Sequence, residues 1–478
     1  MSNQKQFKLR PPVIAPETDQ SYWLQSTRAL DDTPAPALTG PAAADIAIIG
    51  GGLTGLWTAI RILEADPAQK VTVLEADICG SGASGRNGGQ IHSWFESLDR
   101  LASVTGPEEA LRLAQASRDA IQELKALQDA GDIDMDLRLD GWVWSASSRA
   151  QEQAWEPALE RCQENGAAPY RRLDAAELNR RTGSSVPYTG VVEEMAGSLN
   201  PGKLMRNLKK YAIRKGVTIH EHTPALSITP GRPVRVQTPG GELRAPKVLI
   251  ATNAWASSIP ELRRKMYVVD SQVVVTEPIP DRLDALGWKA GEAICDAQNQ
   301  VLYYQRTVDG RVVFGRGSGG TIVGDRIGAK MNRHPRWVQD SVREFRRVYP
   351  SLKDVKIDYD WLGPIDCVPA HVPMFGNLTG HDNIYYAIGW NGTGLAQIPA
   401  CSRILSSMVL GLDDQWAHSK LINQATAKSL PPEPIRFIGA TIVRGALVRK
   451  NAAEIRDRKS GILTEAVVRL MPKGTTEH

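Results

Sequence analysis

Asp45-Ile46-Ala47-Ile48-Ile49-Gly50-Gly51-Gly52-Leu53-Thr54-Gly55-Leu56-Trp57-Thr58-Ala59-Ile60-Arg61-Ile62-Leu63 is the stretch from which the fold can be read. A short apolar run of β-branched character turns through glycines into a segment with helical apolar spacing, so the order is strand, glycine turn, helix. Gly50 permits the tight turn, Gly52 lets a pyrophosphate approach the backbone, and Gly55 lets the helix pack close on the strand. Leu53 and Thr54 open the helix, whose N-terminus then faces phosphate. A second strand, Val71-Thr72-Val73-Leu74, delivers Glu75 about 20 residues past the last glycine, where a carboxylate holds ribose hydroxyls. A glycine pattern alone matches many ordinary turns. Strand, turn, helix, second strand and acid in register point to an adenine dinucleotide.

The next segment separates nicotinamide from flavin. Ile78-Cys79-Gly80-Ser81-Gly82-Ala83-Ser84-Gly85-Arg86-Asn87-Gly88-Gly89-Gln90 is a long glycine-rich loop with an arginine, where a simple NAD domain enters its next helix. It resembles the second FAD motif of the D-amino-acid oxidase/glycine oxidase/sarcosine oxidase superfamily. The resemblance implies that Ala83, Ser84, Arg86, Asn87, Gly88, Gly89 and Gln90 lie along the cofactor, and that the chain from Gln90 to Trp94 sits near the flavin ring. In dimethylglycine-type relatives a histidine tethers the flavin covalently. The local pattern around His92 differs from theirs, so the expectation is non-covalent FAD.

A second informative region runs from Trp361-Leu362-Gly363 through Pro373-Met374-Phe375-Gly376 to Gly389-Trp390-Asn391-Gly392-Thr393-Gly394-Leu395. It resembles the C-terminal signature of the same superfamily, a glycine-rich turn into the last helix. Free N–H groups there can face the flavin N1–C2=O edge and stabilise the anionic reduced ring. The resemblance covers roughly Ala42 to Leu412. It implies two further cofactor contacts, Ala225 beside adenine, and Thr252 and Trp255 toward the end of the apolar strand that runs from Lys247 to Trp255.

Between these motifs the coarse elements are legible. Thr105-Gly106-Pro107-Glu108 reads as a capping box opening a helix that Gly131 ends. Leu137 to Trp144 reads as a strand pair around a tight turn. Asn200 and Pro201 read as the N-cap and first residue of a helix that stops at Gly216. His220 and His222 alternate along a strand, without a third ligand near in sequence, so no metal site is read. Alternating runs at Tyr267–Val275, Gln300–Thr307 and Arg311–Gly315 make an antiparallel or mixed sheet, with Val308-Asp309-Gly310 as a hairpin turn. His334 to Val348 reads as a helix ending before Pro350.

The fold class expected is therefore α/β, a doubly wound FAD-binding domain with an inserted β-rich substrate domain. The boundaries expected are an N-terminal arm 1–41, cofactor segments 42–136, 193–260 and 367–412, substrate segments 137–192 and 261–366, and an extension 413–478. The arm is proline-rich and pinned by Tyr22-Trp23-Leu24. The extension carries an apolar helix with periodic arginines, Ile435 to Lys450. It lies on a membrane surface or, the favoured reading, docks on its own protein or a partner subunit.

Length and charge exclude other classes. The chain has 478 residues, a net charge of +4 and no basic stripe with interleaved aromatics, which argues against nucleic acid. Five cysteines without CxxC spacing and an N-terminus without a signal pattern suggest a cytoplasmic protein with reduced thiols.

Candidates around the substrate are His92, Tyr303, Tyr304, Arg316, Asp366 and Trp390. Glycine oxidase-like members place a carboxylate-gripping arginine where this chain has Ile365. Sarcosine oxidase-like members place a lysine where it has Ala396, and another in a strand like Arg311 to Gly315, which has none. Without these cations the expected substrate is a primary or secondary amine, as in γ-glutamylputrescine oxidase-like members. Oxygen is the expected acceptor, with an amino-acid dehydrogenase feeding a quinone or partner protein as the alternative. A hydroxylase consuming NAD(P)H and a non-catalytic flavin-binding assembly or sensor protein are the rivals from other classes.

Overall fold

The computed structural model describes residues 6–14, 20–33, 35–317, 327–328, 334–424 and 429–469. Pro16 and Pro34 of the arm lie outside the described residues.

Ile46–Ile49 becomes the inner strand of a six-stranded sheet, ordered Thr218–His220, Val71–Leu74, Ile46–Ile49, Lys247–Ile250, Ile384–Ile388, Met374–Asn377. The first five strands run parallel and the last is an antiparallel edge. Ile46–Ile49 and Val71–Leu74 are buried at every residue, as expected of strands covered on both faces. Alternation sends Ile46, Ile48, Val71 and Val73 toward helices Leu53–Ala65 and Pro201–Arg214. Ala47, Ile49, Leu74 and Val248 face the other way, into a core shared with Ile228, Val236 and Leu243. A doubly wound domain has helices on both faces. Here the second face is layered by a small five-stranded sheet, to which the arm adds Phe7–Lys8 by pairing Phe7 with Ile228.

The larger sheet has eight strands, ordered Ile357–Cys367, Tyr267–Thr276, Val312–Arg316, Leu302–Arg306, Ala293–Asp296, Trp142–Ala146, Thr189–Glu193, Arg171–Leu173. Gly310, at φ +76°, turns two of them into the expected hairpin. One face packs on helix Pro335–Val348 through Phe314 and Phe345, whose ring centroids are 5.7 Å apart. The other face turns toward the nucleotide motifs.

Several local readings need correction. Thr105 closes helix Leu98–Thr105, its hydroxyl donating to the Leu101 carbonyl, and the next helix begins at Pro107 behind Gly106 without a side-chain cap. Pro107 lacks an N–H and Gly106 stands at φ +85°, which resets the backbone without a capping box. Leu137 to Trp144 is no hairpin. Arg138 bridges Ser198, while Trp142–Ala146 runs parallel to Ala293–Asp296 and antiparallel to Thr189–Glu193. His222 leaves the strand at φ +51°, so it does not share a strand face with His220, whose Nδ1 lies 2.8 Å from the Pro36 carbonyl oxygen. Asn200 caps as expected, its Oδ1 accepting from the Gly202 and Lys203 N–H groups.

The arm and the extension both dock on their own chain. Trp23 is buried and its Nε1 donates to the Asn87 carbonyl at 2.9 Å. Helix Ile435–Glu454 is held by Arg436 donating to the Arg263 carbonyl and Asn451 donating to Gln298 Oε1. Its outer side leaves Ile435, Ile438 and Ile442 exposed. No helix among the described residues is long and apolar enough to cross a membrane.

Candidate functional site

A cavity of about 450 Å³ opens at the carboxyl ends of the parallel strands and runs to the larger sheet. Crevices at that end of an α/β sheet are where ligands bind. The glycine turn builds its floor, and its three glycines have three different reasons. Gly50 stands at φ +113°, and a Cβ there lies 2.5 Å from the Ala251 carbonyl oxygen. A Cβ on Gly55 overlaps the Gly50 carbonyl. Gly52 has ordinary extended geometry, and its Cβ meets only the Ser84 hydroxyl at 2.9 Å. The first two are required by the fold, and the third keeps the groove open.

Glu75 sits at the end of its strand, accepting from the Gly51 N–H at 2.7 Å and the Asp77 N–H at 3.0 Å. Burial pushes its carboxyl up to about 7, against those two hydrogen bonds. Ala225 lines the same end. The glycine-rich loop holds itself in shape. Asn87 donates to the Ala83 and Ser84 carbonyls and accepts from the Gly89 N–H, and Arg86 Nε donates to the Ser81 carbonyl. Trp361 Nε1 then pins the loop by donating to the Arg86 carbonyl at 2.8 Å. Leu53, Thr54, Ala83, Ser84, Arg86, Asn87, Gly88, Gln90, Thr252 and Trp255 border the cavity, whereas Gly55, Gly89 and Gly389 stand behind it as backbone supports.

At the far end the turn Trp390 to Leu395 borders the cavity. Asp366 clamps it. This fully buried carboxylate accepts from the Gly389 N–H at 2.6 Å, the Trp390 N–H at 3.2 Å and Asn253 Nδ2 at 2.6 Å, and burial raises its carboxyl to about 7. Its oxygens are engaged with the main chain, which makes it a positioning group for the turn. Helix Gln397–Leu410 follows, and its first turn leaves N–H groups without helical partners.

His92 is inside, its ring stacked on Trp142 with centroids 4.5 Å apart, and burial lowers its pKa. Nδ1 lies 3.1 Å from the Ser93 carbonyl oxygen, which places the proton of the neutral ring there and leaves Nε2 an acceptor. Tyr303 borders the cavity beside Gly88, its hydroxyl 2.6 Å from Ser271 Oγ. Strand alternation turns Tyr304 to the opposite face, where it is buried against Phe314, Trp288 and Tyr349. Arg316, on the same face as Tyr304, borders a different cavity. The structure therefore brings His92, Asp366 and Trp390 together and sets Tyr304 and Arg316 apart.

Trp94 borders the cavity, as the reading of Gln90 to Trp94 expected, and other residues escaped the sequence reading. Trp142, Trp144, Glu96, Arg100, Asp296 and His371 all border the same cavity as His92 and Tyr303. Asp296 ends an apolar strand and accepts from the Leu302 N–H at 2.8 Å, and burial raises its carboxyl to about 7. Burial also raises Glu96, which bonds the Ser97 hydroxyl and feels the Arg100 charge. At the nucleotide end the arm contributes Leu9 to Ile14. Leu9 N–H donates to the Leu226 carbonyl at 2.9 Å, which leads the chain past Ala225 and over the groove. The Trp142-x-Trp144 alternation and the terminal Asp296 were the available signals.

The cradle fits a flavin dinucleotide. A helix N-terminus and Arg86 suit a pyrophosphate, Glu75 suits a ribose, and two buried indole nitrogens bordering the cavity, Nε1 of Trp255 and of Trp390, have no hydrogen-bond partner among the described residues. Known proteins agree with this. The family profile DAO, described as FAD dependent oxidoreductase, matches residues 45–408. The chain is 29% identical over 407 residues to a probable oxidoreductase OrdL of Haemophilus influenzae, spanning 83% of this chain and 89% of that one. It is 28% identical over 399 residues to the γ-glutamylputrescine oxidoreductase of Escherichia coli, spanning 83% and 90%. Among solved structures, the glycine oxidase of Bacillus cereus superposes with a TM-score of 0.62 at 20% identity over 78% of this chain and 96% of that one. L-proline dehydrogenase of P. horikoshii superposes with a TM-score of 0.65 at 19% identity, over 78% of this chain and 95% of that one. The chain thus belongs to the DAO family of FAD-dependent oxidoreductases.

Proposed function

We propose that the protein oxidises the C–N bond of a primary or secondary amine to an imine, using non-covalently held FAD. The observation that carries this is the chemistry of the cavity end beyond Trp390. Trp94, Trp142, Trp144 and Tyr303 offer aromatic faces and the half-buried Glu96 offers a carboxyl, while the buried Asp296 braces the Gln298 to Leu302 turn beside them and Ile365 lines the position where a carboxylate-gripping arginine is absent. Aromatic faces and carboxyls receive an ammonium or amine, and an aliphatic wall does not hold an α-carboxylate. The sequence likeness to a γ-glutamylputrescine oxidoreductase supports the same reading.

In this proposal the helix opening at Leu53 would hold the pyrophosphate, Glu75 the ribose, and the N–H groups of the Gly392 to Leu395 turn would receive the flavin ring. When bound, FAD accepts two electrons and the α-hydrogen as a hydride equivalent. The protein's own work is orientation and proton handling. The substrate nitrogen must be neutral to form C=N, and His92 Nε2, kept unprotonated by burial, is placed to accept that proton. The stacked Trp142 fixes its ring. Water then hydrolyses the imine to a carbonyl compound and free amine or ammonia. Oxygen is the proposed terminal acceptor and becomes hydrogen peroxide.

Arg100 favours a second reading, an amino-acid dehydrogenase passing electrons to a quinone or partner protein. Helix Leu98–Thr105 brings this cation to the same end of the cavity, where it is able to meet a substrate carboxylate. One experiment separates the two. The purified protein is mixed anaerobically with a panel of polyamines, ω-amino compounds, glycine, sarcosine, proline and D-amino acids, and flavin bleaching is followed at about 450 nm before air or a soluble quinone is admitted. Bleaching by amines and recovery in air supports the amine oxidase. Bleaching only by amino acids, with recovery only on quinone, replaces it with the dehydrogenase.

A further inference from the structure

A second cavity, about 370 Å³, lies on the face of the larger sheet that carries Tyr304 and Phe314, away from His92 and Tyr303. It is bounded by the strand end at Arg316, by helix Pro335–Val348 and by helix Ile435–Glu454 of the extension. Arg316, Arg336, Arg343 and Arg444 bring four guanidinium groups to it. Among the described residues that border it Asp340 is the single carboxylate, and Asp340 is already paired with Arg343 at 2.8 Å. Arg316, Arg336 and Arg444 therefore share a cleft without an ion-paired carboxylate among the described residues, Asp340 acting on Arg444 only at a distance.

A solvated surface cluster has this composition too, and burial distinguishes the two cases. The Nε atoms of Arg316 and Arg444 are both shielded from solvent and have no hydrogen-bond partner among the described residues. One Arg316 η nitrogen donates to Gln300 Oε1 at 2.7 Å, which fixes the direction of its fork. The Arg444 guanidinium stacks over Trp337 at 5.6 Å, and Trp337 in turn stacks on His334 at 4.1 Å, so this fork is also held in place. Ser341, fully buried on the same helix, presents a hydroxyl without a partner. Burial and the neighbouring Arg316 and Arg336 charges depress the Arg444 pKa, outweighing the opposing charge of Asp340. Fixed, desolvated guanidinium forks and a free hydroxyl match the oxygens of a carboxylate or phosphate.

We propose that this cleft is a binding site for an oxyanion, a carboxylate or a phosphate, held between Arg316, Arg336 and Arg444. The extension builds the site. Arg444 lies beyond residue 408, where the family match ends, so the anion ties an added helix to the substrate sheet. Gly317 borders both cavities, which sets the bound anion behind the wall of the flavin groove. This proposal stands independently of the amine reading.

The test uses the full-length holoprotein in a buffer free of phosphate and carboxylate. Thermal unfolding and titration calorimetry are run with inorganic phosphate in one arm and succinate in the other, each against sodium chloride of matched ionic strength. Saturable stabilisation by at least one anion is expected, and Arg444→Gln is expected to weaken it about tenfold or more. A phosphate response assigns a phosphoryl ligand, and a succinate response a carboxylate. Unchanged circular dichroism and flavin absorbance establish that the variant is folded. Should Arg444→Gln fail to fold, Arg336→Gln at the exposed rim carries the comparison. If neither anion stabilises beyond chloride, or if the folded variant binds as the wild type does, the proposal is overturned.

Discussion

Replacing Gly52 separates the cofactor's need for a glycine from the fold's need. An added Cβ at Gly50 or Gly55 strikes backbone, Ala251 in one case and Gly50 itself in the other, so those substitutions damage the protein whether or not it binds anything. At Gly52 the backbone is extended, at φ −83°, and the Cβ meets only the Ser84 hydroxyl at 2.9 Å. Ser84 can rotate away, at the cost of the hydrogen bond it accepts from the Leu53 N–H at 2.9 Å. That loss is about 1 kcal/mol. The effect on a pyrophosphate is larger, because a valine side chain holds it off the helix N-terminus. Each charge-assisted hydrogen bond lost is about 1.5 to 3 kcal/mol, or roughly tenfold to a hundredfold in affinity per bond. Gly52→Val is therefore expected to purify as a folded, nearly colourless protein. Two measurements check this, the flavin-to-protein absorbance ratio after gel filtration and fluorescence titration of the flavin-free protein with FAD. Stoichiometric yellow cofactor in Gly52→Val would refute the assignment of this turn to the pyrophosphate. Gross unfolding would refute the distinction drawn between the three glycines.

Trp23→Ala is expected to destabilise the protein by about 3 to 5 kcal/mol, as for other buried tryptophans, and to speed FAD release, because Trp23 Nε1 anchors the loop at Asn87; denaturant titration and the flavin off-rate check both. Asp366→Ala leaves the Gly389 and Trp390 N–H groups and Asn253 without their acceptor, about 1 to 3 kcal/mol each. Its expected signature is a lower unfolding midpoint together with weaker FAD binding, while unchanged flavin affinity would show that the clamp does not position the turn. The pH dependence has a definite sign. Burial raises Glu75, Glu292, Asp296 and Asp366 to about 7 and Asp270 to about 8, so between their unfolded values near 4 and these values the folded state binds more protons. Their contribution to stability is present at low pH and lost as pH rises through 7 to 8. Flavin-free protein should lose stability from about pH 5.5 to about pH 8, and a midpoint that rises over that range would contradict the burial of these carboxyls. Glu177 and Asp354, pushed down to about 2, act with the opposite sign only in stronger acid.

What was legible in the sequence was what local stereochemistry dictates. The turn at Gly50 to Gly55, the Asn200 cap and the Val308-Asp309-Gly310 hairpin are each decided within a few residues, and each stands where expected. Alternation along Leu302–Arg306 was equally legible, yet it does not say which face meets the cofactor. That choice belongs to helix Pro335–Val348, about thirty residues later, which covers Tyr304 and leaves Tyr303 to the groove. The same choice carries Arg316 out of the substrate site, because it shares Tyr304's face two residues beyond Phe314. A one-residue difference in a strand thus decides whether a side chain is catalytic scenery or core, and only the packing partner can decide it. Asp366 makes the complementary case. Its place beside the missing arginine suggested a substrate contact, and three donors from the Gly389 turn and Asn253 claimed its oxygens instead. A buried carboxylate is satisfied by the nearest orphan N–H groups before any ligand arrives. Glycine-rich turns supply those groups in quantity, so a carboxylate opposite such a turn is first a brace. Asp296 is a brace of the same kind, accepting from the Gln298 and Leu302 N–H groups and from the Gln298 side-chain amide. The residues left to meet substrate are Glu96 with Trp94, and Trp142 with Trp144, two segments that converge only in three dimensions.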